Sequence, residues 1–407
     1  MAQAQSTHPE KAFTAVLASI PDAVERFHPV VEFYITAERV RRYLSSLSDT
    51  PAPSTAAGAF RLPVLKALLR DDGAFDMPGF VLHENFENTG SPVIITGRSA
   101  SAKKLWYFAH LDTVSYLVQP RIADAYPLVP FCYHLMTNGL RTARAYRYSL
   151  DSNHYNVIAE GELHSIDGRP SFHPARGSAA IWPGDRIVPY VNYQEDRESG
   201  EIFAHVDNAG GVAALAVAAL VLAQIGIDAF LGLPDEEEGP PGAGSQMMGR
   251  GSSRIVSLLS PPDIAIIADV QQAGGGKDAD TRDGVENSTR LGRGAVLAEF
   301  SSLGRGAVTP PHLYALAQRF REAIATVGVS IQESNNAYSS RSDDVSVLLK
   351  TPNILLLGFP GFNRHFDLGP PRANLHDVVN LAKALVYYSA IVPVYRELVL
   401  HMGGGRA

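Results

Sequence analysis

Four acids stand side by side in "FLGLPDEEEGPPGAG": Asp235, Glu236, Glu237 and Glu238 follow an apolar run and precede a Gly-Pro-Pro-Gly turn. Alone, such a run is a solvated turn. Other apolar runs in the chain are punctuated in a similar way. "KLWYFAHLD" ends in His110 and Asp112, "AHVDNAGGVAAL" sets Asp207 just ahead of an apolar stretch, and "DIAIIAD" ends in Asp269. A histidine with several carboxylates is a nitrogen–oxygen ligand set suited to Zn²⁺, Co²⁺ or Mn²⁺. Adjacent acids suit metal-assisted hydrolysis, because one can hold an ion while its neighbour stays free to move a proton. Each piece alone is weak: Asp207 in "DNAGG" could simply cap a helix, and many nucleotide-binding folds end a strand in an acid.

The elements that must position these residues alternate. "PVIITG", "KLWYFAH", "DAFLGL", "DIAIIAD" and "NILLLGF" are short apolar runs of strand type. Helical spacing lies between them, clearest for Leu313, Leu316, Ala317, Phe320, Ile324 and Val327, and again after Asp377. This pattern predicts an α/β fold, a doubly wound, mostly parallel sheet with helices on both faces. In such sheets ligands bind beyond the carboxyl ends of the strands, so the polar punctuations could converge on one crevice.

Two regions depart from the rhythm. Residues 1–58 read as an N-terminal helical extension, its spacing broken by Pro21 and Pro29, followed by the linker "SDTPAPSTAAGA". Residues 116–200 lack a long helix and read as an inserted small β domain, with turn signals "SIDGRP", "WPGD" and "DRESGE". The remaining stretches, 59–115 and 201–400, then form one discontinuous catalytic domain, and 401–407 a disordered tail.

The totals exclude several classes. With 45% hydrophobic and 19% charged residues the chain has a globular composition. A net charge of −7 gives no footprint for nucleic acid or an acidic membrane. Cys132 is the single cysteine, which excludes an internal disulfide and any thiolate-built metal site. The polar N-terminus lacks a signal pattern, and "GGVAALAVAALVLAQIG" (210–226) reads as a buried helix rather than a membrane span. A cytoplasmic protein is expected. "GGGKDADT" (274–281) lacks the spacing of a phosphate-binding loop and reads as a mobile loop.

In order and content, over residues 60–400, these motifs resemble the di-zinc aminopeptidases, closest to the glutamyl/deblocking, tetrahedral (TET-type) aminopeptidases. The family's H-x-D before an apolar strand matches "AHLDTVSYLV", its D-N-x-x-G matches "DNAGG", its E-E-x-G-x-x-G-A matches "EEEGPPGA", and its strand ending in a ligand Asp matches "IAIIAD". A β domain interrupts the family's chain where 116–200 falls here, whereas deacylase relatives carry a lid after the position of Asp269.

The resemblance implies a two-metal site, with zinc first and cobalt or manganese as alternatives. Asp207 would bridge, His110 and Asp269 would complete one position, and Glu237 and His376 the other. With Gly239 and Gly242 setting the register, Glu236 takes the general-base place and Glu238 is a spacer; a one-residue slip to Glu237 and Glu238 is the alternative. Asp112 would orient His110. His365 in "FNRHFD" competes with His376 in "RANLHDVV" for the last ligand place; a helix starts directly after His376. Asp343 in "SRSDD" would be an outer-shell residue or a helix cap. The family's Glu shortly after its last His is missing here until Glu397. The implied activity is removal of N-terminal residues from peptides by a homo-oligomer, with no nucleic-acid or membrane partner. A deacylase or dipeptidase on the same scaffold and a non-catalytic assembly or binding protein are the alternatives.

Overall fold

The structure, a computed structural model, describes residues 9–99, 103–132, 138–239, 249–275, 281–282, 285–301, 306–337 and 342–403. It opens with three helices, α1 (Pro9–Tyr34), α2 (Ala37–Ser48) and α3 (Ala57–Asp71), followed by strands β1 (Val81–His83), β2 (Val93–Thr96) and β3 (Leu105–Phe108). Six strands come next: β4 (Ser115–Val118), β5 (Tyr126–Phe131), β6 (Gly139–Ser149), β7 (His154–Ile166), β8 (Arg169–Pro174) and β9 (Arg186–Pro189). The chain continues through β10 (Gln194–Glu195), β11 (Glu201–Phe203), α4 (Val206–Ile225), β12 (Ala229–Gly232), α5 (Arg250–Ser257) and β13 (Ile264–Gln272). After β14 (Thr281–Arg282) and β15 (Val285–Glu286) come β16 (Ala295–Ala298), α6 (Pro311–Ala325), β17 (Ile331–Glu333) and α7 (Asp344–Val347). The last elements are β18 (Ile354–Gly361), β19 (Arg372–Asn374), α8 (Leu375–Tyr387) and α9 (Ile391–Gly403).

An eight-stranded sheet in the order β1-β2-β12-β3-β13-β18-β16-β17 forms the centre. Its strands β12, β3, β13 and β18 pair in parallel, as do β16 and β17. The joints β1/β2, β2/β12 and β16/β18 are antiparallel, so the sheet is mixed, with a parallel middle. Successive side chains of the middle strands enter opposite cores, as a period of two requires. Leu105 and Tyr107 join the cluster with α4 and α8, while Trp106 and Phe108 join the one with Ile255 and Val256 of α5. Both faces are therefore covered, as the continuous apolar runs anticipate.

The apolar stretch 210–226 belongs to α4, which starts earlier, at Val206, and is buried throughout as far as Ala223. By length and hydropathy α4 and the α8–α9 stretch could cross a membrane, yet both are mostly enclosed by protein here. Gly226, with φ of 74°, ends α4 in a left-handed turn, and Ile227 N–H bonds back to Leu222 C=O at 2.9 Å.

The N-terminal segment departs from expectation. α1 runs unbroken through Pro21 and Pro29. Ile20, Val24, Phe27 and Val31 share one face and are buried in the main core, and this packing holds the helix despite the lost hydrogen bonds. Nor is 49–58 a free linker. Ala52, Ser54 and Ala57 are fully buried, and Thr113 N–H bonds to Ala52 C=O. The expected tail is helical as far as Gly403, and residues 404–407 lie outside the described part, as do 276–280 of the Gly-rich loop and Gly242.

Strands β4–β9 close into a barrel in the order β4-β5-β8-β7-β6-β9, all its pairs antiparallel. Its core holds Tyr116, Leu128, Ala143, Ala145, Leu163, Phe172 and Ile187, and also Phe366, which comes from far along the chain.

Candidate metal centre

Three parallel strands and the start of α4 deliver the polar residues to one place. His110 and Asp112 follow β3, the acid run follows β12, Asp269 lies within β13, and Asp207 sits in the first turn of α4. β13 continues past Asp269, which pairs across from Gly358. His110 Nε2 lies 3.1 Å from Asp207 Oδ1 and 3.6 Å from Asp269 Oδ1. On the other side of the same carboxylate, Asp207 Oδ2 lies 3.3 Å from His365 Nε2, which is itself 3.2 Å from Glu238 Oε2. Two ligand triads thus share Asp207: His110, Asp207, Asp269 and Asp207, Glu238, His365.

His376 is not part of this cluster. It sits in the first turn of α8, its Nε2 3.0 Å from the Asn380 side-chain nitrogen. The reason is topological. β18 runs parallel to β13, so the loop that leaves its carboxyl end carries His365 into the crevice. α8 begins only after β19 has paired with β11 in a separate sheet.

The acid run is read one residue further along than the glycine register implies. Asp235 turns towards α3, accepting from the N–H groups of Thr55 (3.0 Å), Ala57 (3.1 Å) and Glu236 (2.7 Å). Glu236 adopts φ of 63°, which swings its side chain out to Arg254 at 2.6 Å and Arg250 at 3.6 Å. Glu237 then faces the cluster, 3.8 Å from His110 Nε2, and Glu238 stands in the triad with Asp207 and His365. The residue expected as spacer is in the triad, and the one expected as base is in a partly exposed ion pair.

Asp112 holds this turn. Its carboxylate accepts from Glu237 N–H at 3.0 Å, Glu238 N–H at 3.2 Å and Ser54 Oγ at 2.5 Å. It also stands beside His110 Nδ1, with its carbonyl at 3.2 Å and its carboxylate at 3.5 Å. Behind it, the fully buried Arg61 of α3 donates to Leu111 C=O at 2.7 Å and to Leu47 C=O at 3.0 Å. Burial lowers the Arg61 guanidinium to about 10, opposed by the charges of Asp112, Asp207 and Glu238. Ser54, Asp235 and Arg61 are structural partners of the site that the sequence motifs do not reveal.

Asp343 is fully buried, just ahead of α7, and burial pushes its carboxyl up to about 7. Its side chain does not cap α7. Burial would lower the His110 imidazole, but Glu237 and Asp269 outweigh it and hold the ring well above its ordinary value. Burial would likewise raise Asp207, and its hydrogen bonds to the two histidines overturn that and bring it far below the usual range. Glu237 goes the other way, raised well above an ordinary carboxyl by burial and by Glu238 and Asp269.

The donor set fits divalent metal on geometric grounds. Ligands about 2.0–2.1 Å from a tetrahedral ion stand about 3.3 Å apart. The histidine–carboxylate separations of 3.1, 3.2, 3.3 and 3.6 Å bracket that value. In addition, Glu238 Oε1 is buried without a hydrogen-bond donor, which leaves lone pairs aimed at no protein group.

The anchoring by Asp235 predicts a stability effect. Asp235→Ala strands the N–H groups at the start of α3 and is expected to cost about 2–4 kcal/mol. A denaturant titration should show the midpoint falling with an unchanged slope.

No family model matches the chain, and no curated protein matches it by sequence. Solved structures do match in fold. An aminopeptidase from the archaeon Desulfurococcus kamchatkensis is 17% identical with a TM-score of 0.66, over 86% of this chain and 94% of that one. The TET1 peptidase of Pyrococcus horikoshii, described as assembling into a tetrahedron or a large octahedral shell, is 14% identical with a TM-score of 0.64, over 86% and 99%. A Thermotoga maritima protein described as an endoglucanase is 17% identical with a TM-score of 0.58, over 87% and 99%. Mixed sheet, barrel and helical layers together give this chain the fold of the TET-type aminopeptidases.

Proposed function

We propose that this chain is a metal-dependent aminopeptidase. One observation carries the reading: two histidines approach opposite oxygens of a single buried carboxylate, Asp207, each with a further acid beside it. That is the arrangement of a shared ligand between two divalent ions. His110, Asp207 and Asp269 would hold one, and Asp207, Glu238 and His365 the other; zinc suits the nitrogen–oxygen set best. When bound, the ions supply Lewis acidity that polarises a scissile carbonyl and makes water more acidic.

The protein groups do the rest. Asp112 fixes the turn that presents Glu237 and Glu238, and helps set the tautomer of His110. Glu237 belongs to neither triad and stays free. Its buried carboxylate is suited to take a proton from the attacking water and return it to the leaving amine. Glycoside hydrolysis, which the endoglucanase description would suggest, asks for two carboxyls flanking a sugar bond and has no use for the paired histidines. Assembly into a homo-oligomer is supported by the fold neighbours described as a dodecamer and as a tetrahedron or octahedral shell.

Hydrolysis of aminoacyl amides, assayed beside N-acyl amino acids, tests the reading. The amides should be cleaved, and a chelator should abolish the activity until Zn²⁺ is restored. Cleavage of N-acyl amino acids alone would instead assign a deacylase.

A further inference from the structure

The loop that carries His365 is held by the barrel at Phe366 and Asp367. Arg141, on barrel strand β6, donates from Nε to Phe366 C=O at 2.5 Å and from its second guanidinium nitrogen to Asp367 C=O at 3.0 Å. The fork thus grips the two carbonyls that follow His365. Phe366 itself is 4% exposed and packs in the barrel core with Tyr116, Leu163 and Phe172. Its ring meets His205 edge-on at 4.7 Å, and His205 Nε2 lies 2.8 Å from the carbonyl of Pro189, the last residue of β9. The loop backbone needs such support. Asn363 and Phe366, on either side of His365, have φ of 53° and 59°, a region that a bulky residue such as phenylalanine rarely enters. Phe366 N–H closes the turn on Asn363 C=O at 2.6 Å. Arg141 does not reach the other triad in this way: His110 follows β3, Asp269 lies in β13, and Asp207, shared by both triads, opens α4.

We infer that Arg141 is a positioning residue for His365, through which the barrel sets the affinity of one metal position and not of the other. The inference rests on the two-metal reading of the site. A guanidinium is suited to this task because its rigid planar fork fixes two acceptors in one geometry, whereas a lysine ammonium is a compact charge on a flexible stem.

Zn²⁺ titration of the full chain, read by calorimetry and elemental analysis, tests it together with amide hydrogen exchange of the metal-free protein. In Arg141→Ala one ion should bind as in wild type and the second about 10–100-fold more weakly, the usual scale for removing a group that orients a ligand. Exchange over 362–368 should quicken while the strands of the central sheet stay protected. Arg141→Lys should fall between the two. Unchanged affinity for both ions, or equal weakening of both, would overturn the assignment. Fewer than two ions in wild type would reject the two-metal reading itself. The exchange pattern then decides the clamp alone: faster exchange confined to 362–368 supports it, and unaltered or chain-wide change overturns it.

Discussion

Glu237→Gln is expected to bind two metal ions like the wild type and to turn over an aminoacyl amide about 10²–10⁴-fold more slowly, the span for losing a general acid–base group. The loss should fall on kcat, because Glu237 stands outside both triads and its amide replacement keeps the shape of the pocket. Glu236→Gln is the paired control. Its carboxylate is engaged by Arg250 and Arg254. Removing a charge from that partly exposed cluster should leave kcat within a few-fold of wild type. If instead Glu236→Gln is dead with both metals retained while Glu237→Gln is active, the geometry of the turn has been misread.

His365→Ala should lose one of the two ions and nearly all activity, because it removes the only imidazole of its triad. His376→Ala should keep both ions and most of the activity. His376 is half-buried beside Asn380 in the first turn of α8 and belongs to neither triad. The reverse result, with His376→Ala metal-poor and His365→Ala intact, would return the last ligand to the start of α8.

These two pairs also mark where the sequence stops being legible. The strand runs and a crevice at their carboxyl ends are legible in periodicity and residue type, whereas the grouping of His110, Asp207 and Asp269 follows from the family resemblance of their motifs. The choice between His365 and His376 could have been made by the same rule: "FNRHFD" leaves the end of the parallel strand β18 directly, whereas His376 stands beyond β19 in another sheet. The helix start after His376 is a local signal that topology overrides. The acid register was beyond local reading. It depends on a left-handed φ at Glu236, and on Asp235 and Asp112 capping backbone groups far away in the chain. The N-terminal segment misled for a related reason. Proline inside α1 predicts a break, but tertiary packing of one apolar face overrides it. Ser54 reaches the site because that segment is folded into the core, and Arg61 of α3 bonds to Leu47 within it.

In the proposed enzyme Asp207 stands between two metal ions. Anomalous X-ray diffraction at the zinc edge, from crystals grown with Zn²⁺, tests it most directly. Two peaks are expected, one between His110 and Asp269 and one between Glu238 and His365, with the Asp207 carboxylate touching both. A single peak, peaks that leave Asp207 uncontacted, or a second peak at His376 would contradict it.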